Sequence, residues 1–178
     1  MPKMTDRQGL LDDVATAATG GMVAGDAAWM RELLDELVGD WYREAGADDD
    51  APAVLELLRG EIERALEGKP AAERLEVVRA GVLDRRIRRL GVQTFELGKQ
   101  IIDGRVDGTH ARTRGQALMD GIEAVAAEVR TLAAADVRAR LGRDLQEASL
   151  EALYAIEGNA MSHRLSHYAS DAQPPRVF

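Results

Sequence analysis

Apolar side chains recur every three or four positions along nearly the whole of this 178-residue chain. That spacing matches the turn of an α-helix, so each run places its apolar residues on one stripe. The period-two alternation of a half-buried strand is absent. No repeat of fixed length is visible either. The chain is therefore expected to be all-α, a helical bundle of about five helices.

The front of the chain reads as short helices. Thr5 and Gln8 form a T-x-x-Q capping box, and Leu11, Val14 and Ala18 follow at helical spacing. Gly20 and Gly21 weaken that helix at its end. A second helix opens at Asp26, with the stripe Met30, Leu33, Leu34, Leu37, Val38 and Trp41, widened by Trp29 and Tyr42. Core filling is the favoured role for these three aromatics, and an interface anchor is the alternative. Gly46 and the run Asp48-Asp49-Asp50 end the stripe as a loop. Asp50 can cap a third helix with Pro52 in its first turn, where a missing amide costs nothing. Its buried face is Leu55, Leu58, Ile62, Ala65 and Leu66, and Gly68 with Pro70 stops it.

The remainder is expected to form a long antiparallel helical hairpin, residues 71–103 against 110–168. The first arm carries the seam Leu83, Ile87, Leu90, Thr94, Leu97 and Ile101, a heptad pattern with one polar member. Asp103, Gly104, Asp107 and Gly108 make the turn, and Thr109 caps the second arm. That arm has the seam Leu118, Ile122, Val125, Val129 and Leu132. Its phase is lost near Asp136 and resumes at Leu141, Leu145, Ala148, Ala152 and Ile156. One unbroken helix here would be ~90 Å long, so it either projects as an arm or breaks near Gly142. The expected organisation is one helical domain over 1–170, with acidic short helices over 1–68, the hairpin over 71–168 and a flexible tail over 171–178. Seven glycines fall inside helical pattern: Gly81, Gly91, Gly98, Gly115, Gly121, Gly142 and Gly158. Gly91 and Gly98, one heptad apart, suggest a close helix crossing.

Composition narrows the function classes. The net charge is −8, yet residues 79–114 hold nine bases and four acids, while residues 1–50 hold twelve acids and four bases. Overall acidity opposes nucleic-acid binding, and mutual attraction of the two regions is the simpler reading. There is no cysteine, which excludes disulfides and thiolate chemistry. No apolar run approaches a membrane span, and the first eight residues carry no apolar signal core. A cytoplasmic location is the expectation.

Two constellations are candidates for chemistry. His163 and His167 stand four apart, on one helix face, as in many metal sites. Further ligands are wanting: Glu157 is displaced around the helix, and His110 is the only other histidine. The paired Glu-x-x-His motifs of four-helix metal bundles are missing, because Asp107, Ala160 and Arg164 precede the three histidines by three positions. The other candidate is Arg85-Arg86-Ile87-Arg88-Arg89, followed by Leu90-Gly91-Val92, Leu97 and Asp103-Gly104-Arg105. These roughly 25 residues resemble the helix-turn-helix of small excisionase-type DNA-binding proteins. The resemblance implies a turn at Leu90-Gly91-Val92 and phosphate contacts from the arginines. Ile87 and Gln100 depart from that motif, and the seam through Leu83, Leu90 and Leu97 predicts one continuous helix instead. Glycine-rich phosphate loops and nucleophile elbows are absent. The sequence thus assigns no catalytic, cofactor-binding or metal residue, and the balance points away from an enzyme.

Three readings remain in order. The first is a helical interaction or scaffold protein that forms a homo-oligomer or binds a protein partner through amphipathic helices. The second is a nucleic-acid-binding regulator using residues 79–114. The third is a metal or ligand binder using His163 and His167.

Overall fold

The computed structural model describes residues 6–45 and 52–157. Among them are six helices and no strand: α1 (Arg7–Thr19), α2 (Ala24–Ala45), α3 (Pro52–Leu66), α4 (Ala71–Ile102), α5 (Gly108–Arg130) and α6 (Ala135–Ile156). The all-α bundle expected from the sequence is what the chain forms. His163, His167, Gly158, Thr5, Asp50 and the 171–178 tail lie outside the described residues.

The chain divides into two compact units, and the division falls inside α4, between Val82 and Leu83. The first unit holds α1, α2, α3 and the start of α4. α1 packs against both α2 and α3. Its core joins Leu10 and Val14 of α1, Met30, Leu34, Leu37 and Trp41 of α2, Leu55, Leu58 and Ile62 of α3, and Val78 and Val82 of α4. Most of these belong to the stripes read from the sequence, to which the structure adds Leu10, Val78 and Val82; they come together because no one helix can bury its own stripe. The cap of α1 differs from expectation. Asp6 accepts from the Gly9 amide at 2.8 Å, and Gln8 donates to Asp12 at 3.3 Å rather than reaching back. A carboxylate next to the first turn meets the exposed amides directly, so Asp6 takes the role.

The second unit contains α4 from Leu83 onward, α5 and α6. Bonded pairs fix its directions. Asp84 meets Arg140 and Thr94 meets Glu151, so α4 and α6 advance together. Arg86 meets Glu128 and Gln100 meets Arg114, so α5 runs the opposite way. The result is an up-down-up bundle with Leu83, Ile87, Leu97, Ile122, Val125, Val129, Leu141 and Leu145 in its core.

The turn between α4 and α5 follows the sequence. The Arg105 amide donates to Gln100 O at 2.9 Å and the Gly104 amide to Ile101 O at 3.1 Å. This paired closure needs a left-handed residue, and Gly104 supplies it at φ 66°.

The second arm of the expected hairpin is not one helix. Its described part, residues 110–157, neither runs as one rod nor breaks near Gly142, which lies inside α6. The break comes earlier, at Thr131–Ala134. The reason is the loss of seam phase: after Leu132 the next aligned position is Asp136, which a continuous apolar contact would have to bury. The chain instead reverses, with Leu132 buried and Ala134 extended at φ −73°, ψ 114°. Asp136 then sits in the first turn of α6, where the helix dipole favours a carboxylate. Arg138 clamps the reversal by donating to Leu132 O and, at 2.7 Å, to Ala133 O.

Candidate functional site

From Leu83 onward the basic segment runs through the second unit. α4 continues unbroken across Leu90-Gly91-Val92, so the turn implied by the excisionase-like resemblance is not formed. The physical cause is the heptad seam, which is buried on both sides of Gly91 at Ile87 and Thr94. The four arginines differ in exposure: Arg85 is buried, Arg86 is half-buried, and Arg88 and Arg89 are exposed. Arg85 is only 2% exposed, which keeps its guanidinium from solvent. Arg86 donates to Glu128 of α5 at 2.8 Å, and Arg88 to Asp84 one turn back at 3.1 Å. Asp84 also accepts from Arg140 of α6 at 2.7 Å. The acids that meet Arg86 and Arg88 therefore belong to the same unit.

The polar member of the α4 seam has a defined role. The Thr94 hydroxyl lies 2.8 Å from Gly91 O and 3.0 Å from a carboxylate oxygen of Glu151. Both side chains belong to buried residues. A buried polar group is expensive unless hydrogen-bonded, so each makes the other tolerable. Sequence reading missed Glu151. The signal was available: position 151 falls among the small residues Ala148, Ala152 and Ala155, on the buried side of α6, and a polar seam residue across from it needs a partner.

The aromatics separate. Trp41 and Tyr42 are core residues with ring centroids 5.4 Å apart at 81°. Trp29, expected in the same stripe, is 41% exposed, and the Arg79 guanidinium lies 5.1 Å over its ring. Position 29 falls at the margin of the α2 stripe, where an indole can keep one face in water beneath a cation.

His110 is exposed at the start of α5. Its ring bonds Asp107 at 2.7 Å, and Asp107 also accepts from the Thr109 and His110 amides at 2.8 and 2.9 Å. Asp107, rather than the expected Thr109, is the cap of this helix. The His110 amide bond, followed by the His110 ring bond, holds the Asp107 carboxyl below its ordinary pKa. Asp107 and His110 thus make a helix cap. Among the described residues no group of three or more His, Asp or Glu side chains converges as a metal set, and no helix is long and apolar enough to cross a membrane.

What the second unit does offer is an apolar surface. α6 buries Leu141, Leu145, Ala148, Ala152 and Ala155 on one side. On the opposite side its last two turns present Leu150, Leu153 and Tyr154, exposed by 39%, 47% and 41%. A helix apolar on both faces is usually covered on both.

Comparison with protein-family models, with curated proteins and with solved structures finds no match to this chain.

Proposed function

We propose that this chain is a non-enzymatic helical interaction or scaffold protein that self-associates or binds a partner through amphipathic helices. The observation that carries the reading is the outer face of α6, where Leu150, Leu153 and Tyr154 lie in water opposite the buried seam. α5 and α6 fold back on each other, so no projecting rod is left to offer an unpaired seam. The exposed α6 face replaces it. Each of these side chains is already more than half covered, so hiding the rest is worth roughly half of the ~1.5–3 kcal/mol of a fully exposed one before ordering costs, which together supports a weak association.

Burial of Arg85, with the pairing of Arg86 and Arg88, supports this reading over a phosphate-binding one. Unengaged cations on one face are what electrostatic attachment to a nucleic acid requires.

Light scattering on the full chain tests the proposal. A particle heavier than one chain, or a stoichiometric co-purifying protein displaced by Leu153→Glu, is the expected result. A compact monomer that neither associates at micromolar concentration nor retains any partner would sink it.

A further inference from the structure

The outer face of α6 is complementary to itself. Along it run Arg143, Gln146, Leu150, Leu153 and Glu157, with Tyr154 beside Leu153, all of them exposed. Arg143 and Glu157 stand seven residues before and after Leu150, two turns away in each direction and on the same stripe. The face is therefore basic at one end, apolar in the middle and acidic at the other. Neither Arg143 nor Glu157 has an ion pair among the described residues, although acids and bases elsewhere in the unit are paired across helices.

We propose that α6 docks antiparallel on α6 of a second copy of this chain, about a two-fold axis at Leu150. This rests on the interaction reading above and names its partner. In a two-fold contact, residue i meets residue j and j meets i. Centring the axis on Leu150 sets each Arg143 against the partner subunit's Glu157, and each Gln146 against the partner subunit's Tyr154. Leu150 and Leu153 are then enclosed between two equivalent Arg143–Glu157 pairs, one at each end of the contact. A parallel pairing would instead bring Arg143 to Arg143 and Glu157 to Glu157. Charge thus selects both the orientation and the register. The strip from Arg143 to Glu157 is only ~21 Å long, so the contact is at the small end for a specific interface. Reversible association in the micromolar range follows.

Sedimentation equilibrium of the full chain from ~1 to ~500 µM tests this. The wild type forms dimers. Arg143→Glu alone and Glu157→Arg alone each raise Kd about tenfold, because two attractive pairs become repulsive. The double variant R143E/E157R restores dimerisation, because the reversed pair is attractive again. Leu153→Glu abolishes it, with circular dichroism confirming that helicity is kept; if L153E does not fold, the surface charge exchange still decides. A wild type that stays monomeric over the whole range overturns self-docking and leaves the binding of another protein standing. A dimer indifferent to both charge reversals and to L153E overturns the α6 geometry and leaves self-association standing.

Discussion

Gly115 of α5 meets Ile156 of α6 so closely that a Cβ on the glycine would lie 3.0 Å from the Ile156 backbone nitrogen and 3.2 Å from Ala152 O. The helices touch there backbone to backbone, and backbone cannot step aside as a side-chain tip can. Alanine normally stabilises a helix interior by about 1 kcal/mol over glycine. At Gly115 the expected sign is reversed. Gly115→Ala should cost about 1–3 kcal/mol through overpacking. Gly142, inside α6 with nothing within 4 Å of a Cβ, is the internal control, and Gly142→Ala should stabilise by about 0.5–1 kcal/mol. Urea denaturation of the two variants beside wild type checks both signs. Equal shifts would show that the α5–α6 approach is not as tight as described.

Thr94 and Glu151 form a buried polar pair in a largely apolar core. Thr94→Val keeps the volume and removes the hydroxyl, leaving a buried carboxylate short of one partner. The expected loss is about 1–3 kcal/mol. Thr94→Ser keeps the donor and should lose less. A valine variant as stable as wild type in chemical denaturation would mean that Glu151 finds compensation elsewhere.

How far these features could be read from sequence depends on their range. The stripes of α1, α2 and α3 lie within one helix each, and the side chains Leu34, Leu58 and Ile62 that they place inside are fully buried. The seam of α4 likewise held across Gly91, against the helix-turn-helix resemblance. Features set by contact between distant residues were less legible. Gly115 and Gly142 look alike in sequence, and only the three-dimensional crossing distinguishes the glycine that meets Ile156. The reversal at Thr131–Ala134 was signalled by the lost phase at Asp136. Its position was decided by Leu132 turning into the core and by Arg138 capping the freed carbonyls. Glu151 was passed over because a lone acid among alanines looks like helix surface until the polar seam residue across from it, Thr94, is set beside it. The exposed face of α6 was masked for a related reason: Leu150 and Leu153 blend into an apolar run whose buried side is set by α4 and α5.

Leu97 and Leu153 separate folding from association. Leu97 is fully buried in α4, whereas Leu153 is 47% exposed on α6. Leu97→Ala should destabilise by about 2–5 kcal/mol, the ordinary cost of a core cavity. Leu153→Ala should change the stability of a dilute sample by less than ~0.5 kcal/mol. Thermal melts at low and high protein concentration distinguish the roles, since a residue that serves only association matters more as concentration rises. A large loss for Leu153→Ala in dilute solution would assign that side chain to the monomer core instead.

Asp107 gives the second unit a pH dependence of known sign. Its carboxylate receives the Thr109 and His110 amides and the His110 ring, and these bonds favour the charged form. The folded pKa therefore lies below the ordinary 3.8. A group depressed on folding contributes stability that is complete above its unfolded pKa and is lost as pH falls through the folded value. Asp107→Ala should accordingly lower the melting temperature at neutral pH, and the gap from wild type should close as the pH drops below the carboxylate range. Asp107→Asn should fall between the two, since asparagine also caps helices but carries no charge to meet the dipole. Hydrogen exchange localises the effect: in Asp107→Ala the Thr109 and His110 amides should exchange faster, while those in the middle of α5 remain protected. A melting gap that persists unchanged at pH ~2 would show that the carboxylate charge is not what holds this helix start.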